Sequence, residues 1–211
     1  MYRQERNYEN LNNGIFEGTG DFDIPSLNPI QLVDTKEFIG FNYAKTCKIP
    51  LEKGVHFFVD DYQFTRVWNQ PNNYLELLAR FSVVCTPDFS TYTDFPRAIQ
   101  IYNHYRKHWL GAYWQRNGIT VIPTISWSDE KSFDWCFDGE PVGGAVAVSS
   151  VGTQLNAQSK ELFLLGYSEM LKRLKPSQVV FYGRVPEACM ADNVLPILAF
   201  QEKHRQKKAG T

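Results

Sequence analysis

Carboxylates and hydroxyls recur just past short apolar runs along this chain, and acid–base or ligand chemistry would start from that placement. Asp60 and Asp61 follow Val55-His56-Phe57-Phe58-Val59, and Asp88 and Ser90 follow Phe81-Ser82-Val83-Val84-Cys85. Thr124, Ser126 and Trp127 come at the end of the run that begins at Ile119. Ser149 and Ser150 follow Ala145-Val146-Ala147-Val148, and Tyr182 and Arg184 close the run from Val179. If these runs are parallel strands, right-handed crossovers return each one in the same direction, and all these groups face one rim. Two neighbouring carboxylates push one pKa upward and so permit paired acid and base work, while separated ones can hold a divalent cation through oxygen. Asp60, Asp61 and Asp88 are therefore the candidate catalytic groups. Ser90, Ser126, Trp127, Ser149, Tyr182 and Arg184 are the candidate substrate-binding groups. Arg184 offers a planar donor fork for phosphate or carboxylate, and Trp127 and Trp135 offer stacking surfaces for a sugar or base. The pattern specifies no cofactor; a divalent cation on the carboxylates is the one ion it suggests.

Each residue also has a plainer use. Aspartate before a helix is usually an N-cap, serine after a strand usually closes a turn, and large rings usually fill cores. His104 and His108 have metal-compatible spacing on a helix, but without the glutamate of a zincin motif and beside Arg106 and Lys107 they read as a solvated or partly exposed flank. Cys136 lies in apolar and acidic surroundings that raise a thiol pKa, which favours a buried structural thiol. Neither a Walker A nor a dinucleotide-binding glycine fingerprint is present.

The elements that must position these groups centre on Phe81 to Trp127. Two β-branched, nearly continuous apolar runs flank a segment of helical period, the pattern of a β-α-β unit in a sheet buried on both faces. In the central helix Ala98, Tyr102, Tyr105, Trp109 and Ala112 form the apolar stripe, and Asn117-Gly118 ends it. Further strands are expected at Glu37 to Tyr43, Val55 to Val59, Ala145 to Val148 and Val179 to Tyr182. Helices are expected from Tyr62 to Arg80, broken at Pro71, and from about Ala157 to Lys175, with a short one beyond Leu198. The expected fold class is α/β with a mostly parallel sheet and crossover helices, a description that an incomplete or distorted barrel also satisfies. Residues 1–36 read as an irregular arm packed on the domain, 37–200 as one α/β domain and 201–211 as a basic tail.

At 211 residues the chain is of single-domain size. With 22 Lys and Arg against 23 Asp and Glu it has no global positive field, so nucleic-acid binding would need a local patch. Four cysteines, Cys47, Cys85, Cys136 and Cys189, are too widely spaced for a zinc knuckle and suit free thiols. A polar start and the absence of any apolar run of about 20 residues point to the cytoplasm and to no membrane partner.

The ordered motifs Phe58-Val59-Asp60-Asp61-Tyr62-Gln63-Phe64, Thr86-Pro87-Asp88-Phe89-Ser90, Tyr113-Trp114-Gln115-Arg116-Asn117-Gly118, Val121-Ile122-Pro123-Thr124-Ile125-Ser126-Trp127 and Phe137-Asp138-Gly139-Glu140-Pro141 resemble those of the domain-of-unknown-function 4417 family. The resemblance spans roughly residues 35–190. It implies a setting in Gram-positive bacteria, their phages and integrative elements, and brings no established activity. Two functions follow as expectations. One is a hydrolase of nucleotide, nucleic acid or sugar using a strand-end acidic pocket. The other is a non-catalytic binding protein acting on a host, phage or replication protein.

Overall fold

Strands with β-branched residues on both faces need cover on both sides, and the chain provides it with helices outside and side chains packed inside. The computed structural model describes residues 8–31 and 34–199. An antiparallel ribbon of β1 (Gly18–Thr19) and β2 (Ile24–Pro25) precedes the main body. Four strands, β3 (Glu37–Gly40), β4 (Lys53–His56), β5 (Val83–Cys85) and β6 (Val121–Ile122), then pair in that order, all parallel. A second parallel sheet orders β7 (Ala145–Ser149), β8 (Gln178–Tyr182) and β9 (Val194–Ile197). A single parallel bridge, Thr124 to Ala147, joins the two sheets. The seam falls at Pro123, which has no N–H to offer the ladder, although its carbonyl accepts from Ala147 at 2.8 Å.

Alternation along the strands sorts the core into an inside and an outside. Phe38, Val83, Cys85, Ile122, Ala147, Val180, Tyr182 and Ile197 form one buried cluster. Their alternates face the helices. Val84 and Val121 pack with Trp109, Leu110 and Trp114 of α3 (Arg97–Arg116), and Val146, Val148, Val179 and Phe181 pack with Phe163, Tyr167 and Met170 of α4 (Ala157–Leu174). Phe38 and Ile197 come from opposite ends of the strand order yet share one cluster, so the sheet curls toward a barrel. It does not close, because β3 and β9 are not paired with each other among the described residues. The fold is α/β with parallel sheets, as expected.

The segment Tyr62 to Arg80 splits around Pro71 into two short helices, α1 (Thr65–Asn69) and α2 (Asn72–Leu78), as proline's missing donor requires. Gly118, at φ +80°, ends α3, and Lys175 ends α4 in the left-handed region. Three expectations need correction. The expected stripe is buried only in the second half of α3, at Trp109 and Ala112; in the first half Ala98 is exposed and Tyr102 is 38% exposed, whereas Gln100, Asn103, His104, Lys107 and His108 are buried. His104 and His108 are therefore not a solvated flank. Apolar periodicity misled here because this end of α3 buries polar groups that bond to one another and to loops. The β9 strand was not anticipated either, since a proline at its third position hid it. It is the edge strand, where proline is tolerated.

Residues 8–31 lie against α3 and its neighbours. Trp109 Nε1 donates to the Gly14 carbonyl at 3.0 Å, and Leu27 N donates to the Gly139 carbonyl at 2.9 Å. The basic stretch 201–211 and the short helix expected before it lie outside the described residues, apart from Ala199.

Packing of α4 gives a sharp test. A Cβ at Gly166 would lie 2.2 Å from Trp127 Nε1, so Trp127 sits where a side chain would be. Gly166→Ala is expected to cost about 1–3 kcal/mol in urea unfolding by overpacking. An unchanged midpoint would mean that Trp127 moves aside freely.

Candidate functional site

Where parallel strands end, backbone and loops leave a crevice, the usual ligand position of α/β sheets. Here a cleft of about 790 Å³ opens past the ends of β3, β4, β7 and β8. His56, the last residue of β4, is directed by its own turn: Phe58 N donates to its Nδ1 at 3.2 Å, leaving the proton on Nε2. Its ring stands 4.4 Å from that of Tyr182, and Phe58 stacks on Tyr182 at 5.0 Å. These three rings make an aromatic wall drawn from two strands that are far apart in order. Gly183, at φ +94°, turns the chain past β8 and releases Arg184 to the surface. Ser150 Oγ donates to the Arg184 carbonyl at 2.7 Å and ties the β7 and β8 loops together.

The sequence-selected residues separate into groups. Asp60, Tyr182 and Arg184 line the cleft, with Ser150 beside them. Asp60 stands at the N-cap position of the turn Asp61–Gln63, yet its carboxylate makes no capping hydrogen bond. Ser149 does not line the cleft; its Oγ accepts from Val151 N at 3.1 Å, a turn-closing role. Asp61, Asp88 and Ser90 form a second group past β5. There both Asp61 oxygens are taken by Ser90, from its N at 3.1 Å and its Oγ at 2.8 Å. Burial pushes the Asp88 carboxyl up to about 7, with the Lys107 charge opposing and Asp61 adding to the rise. Arg184 lines this cleft and Asp88 does not. Ser126 is half-buried, and Trp127 packs against Phe163 of α4 with ring centroids 5.5 Å apart. Trp135 is buried in the α4 core.

A third, unanticipated group lies under α3. Lys107 Nζ donates to Glu140 Oε1 and to the Thr124 carbonyl, both at 2.7 Å, and His108 Nε2 lies 2.9 Å from the same Glu140 oxygen. Burial opposes ionisation of Glu140, but Lys107 and His108 outweigh it and hold its pKa below the usual carboxylate value. His104 is pushed well below its ordinary pKa, first by burial and then by the Lys107 and His108 charges, so its ring is neutral. The signal was present in the sequence: positions 104, 107 and 108 share one helical face, the i, i+3, i+4 pattern. Cys136 is buried in the α4 core with its thiol pushed up to about 12, chiefly by burial, so it is no nucleophile at neutral pH.

Comparison with known proteins places this architecture. The family model for a domain of unknown function, DUF4417, matches residues 16–201. The chain belongs to the DUF4417 family. Its relatives include the "Gene 1 protein" of Mycobacterium phage L5, 38% identical over 172 residues that cover 81% of this chain and 75% of the relative. The "Gene 1 protein" of Mycobacterium phage D29 is equally similar, but there the match spans 63% of the relative's length. No solved structure matches. The phage association implied by the DUF4417 motifs therefore stands, and the family carries no assigned activity. No helix among the described residues of this DUF4417 chain is long and apolar enough to cross a membrane.

Proposed function

We propose that the cleft binds a nucleotide or a similar phosphate-bearing ring and that the chain hydrolyses it, with Asp60 as general base toward water and Arg184 on the anionic group. One observation carries this reading: an aromatic wall, a carboxylate without a capping bond and an arginine line a single cleft at the carboxyl ends of parallel strands. The wall suits a planar base or sugar face, and the guanidinium suits phosphate.

The test is incubation of the purified protein with nucleotides and sugar phosphates, with magnesium present, read by product formation and by ligand-induced shift in Tm. Asp60→Asn is expected to lower turnover about 100-fold or more while keeping the Tm shift. Arg184→Ala is expected to weaken binding about tenfold or more. No Tm shift and no product with any of these ligands would end the reading.

A second reading, a non-catalytic module acting on a host or replication protein, is favoured by the cleft's apolar rim. Leu155 is 85% exposed, Val151 58% and Tyr43 48%. Under that reading Leu155→Asp abolishes partner capture while the Asp60 and Arg184 variants leave it intact.

A further inference from the structure

The group under α3 has the chemistry of a metal centre. His104, His108 and Glu140 each offer a ligand atom, all within 4.8 Å of one another and all buried. In metal sites, histidines donate their other ring nitrogen to a carbonyl or carboxylate that fixes the ring. Both rings here are held in that way: His104 Nε2 lies 3.0 Å from the Asp138 carbonyl, and His108 Nδ1 lies 2.8 Å from the Pro25 carbonyl. This leaves Nδ1 of His104 and Nε2 of His108 as the ligand nitrogens. Glu140 supplies an independent sign. Its Oε1 is shared by Lys107 and His108, but its Oε2 is buried without a hydrogen-bond partner, an expensive state for a carboxylate oxygen.

We infer that His104, His108 and Glu140 bind one divalent transition-metal ion of the zinc class, with Glu140 Oε2 as the oxygen ligand. Two imidazoles and a carboxylate are a set that zinc accepts, and they leave one coordination position for water. Ligand atoms about 2 Å from zinc stand about 3.3 Å apart, so the group closes on the ion with shifts of about an ångström. Lys107 sets the strength. Its ammonium stays on Oε1 and repels the ion, so the site binds zinc at about micromolar Kd, far weaker than a structural zinc finger. Removing that charge tightens the site.

The test uses the full chain, stripped with chelator and titrated with zinc or cobalt alone. Wild-type protein is expected to bind one equivalent, with cobalt giving the visible absorption of a tetrahedral site. His104→Ala abolishes binding; this ring takes no part in the Lys107–Glu140–His108 contacts, so its replacement leaves them in place. Lys107→Met binds at least about tenfold more tightly and regains thermal stability when zinc is added. Wild-type protein that takes up less than one equivalent at 100 micromolar metal, or a His104→Ala variant that binds like wild type, overturns the inference and leaves the group a plain buried ion pair. Should Lys107→Met not fold, the wild-type and His104→Ala titrations decide alone.

Discussion

Replacing Lys107 with methionine is expected to destabilise the fold by about 3–5 kcal/mol in metal-free urea unfolding, among the largest effects of any single change. The Lys107 side chain is 2% exposed and that of Glu140 is not exposed at all, so the substitution leaves a buried carboxylate supported only by His108. It also strips the Thr124 carbonyl of a donor, at the seam between the two sheets. The double change Lys107→Met with Glu140→Leu is expected to recover most of the loss, because the charge and its partner leave together. A single variant within about 0.5 kcal/mol of wild type would mean that water reaches Glu140 and that the group is not the dry network seen beneath α3.

Asp88→Asn is expected to stabilise the protein at alkaline pH. The sign follows from the raised carboxyl, which goes from an ordinary 3.8 to about 7 chiefly through burial. Below pH 4 the folded and unfolded chains both hold the proton, and Asp88 has no effect on stability. Between pH 4 and 7 only the folded chain holds it, so stability falls as pH rises, and above 7 the full penalty applies. Fully expressed, that penalty is on the order of 4 kcal/mol. Water reaches part of Asp88, so about 1–3 kcal/mol is expected. The variant and wild type should therefore have similar midpoints at pH 4 and diverge by pH 8, with the variant the more stable. A constant difference across this range would place the Asp88 carboxyl in bulk water.

The parallel sheets were legible because runs such as Val83-Val84-Cys85 and Val179-Val180-Phe181 are apolar on both faces, which suits only a doubly covered strand. The burial of α3 was not, since its inner face at 100–108 is built from Gln, Asn, His and Lys: Gln100 and Asn103 donate to carbonyls of the loop before the helix, and His104 and Lys107 pair with the Asp138 carbonyl and Glu140, more than 30 residues later. The spacing of His104, Lys107 and His108 puts them on one helical face, but nothing local tells whether a polar face is buried against distant partners or solvated. The lining of the candidate cleft was half legible. Strand ends pointed to Asp60, Tyr182 and Arg184, but strand order alone does not say which ends approach when a sheet curls. Curling brings β4 beside β8, hence His56 against Tyr182, and leaves Asp61, Asp88 and Ser90 in a group of their own. His56 went unselected because it lies inside an apolar run, where a histidine reads as core.

Ligand binding in the cleft is the central proposal, and backbone amide chemical-shift mapping tests it directly. Titration with a nucleotide that shifts Tm is predicted to move the resonances of Phe58, Asp60, Ser150, Tyr182 and Arg184 together, at one midpoint. Shifts confined to the Asp88 loop or to the outer face of α4, with those five residues unmoved, would contradict it.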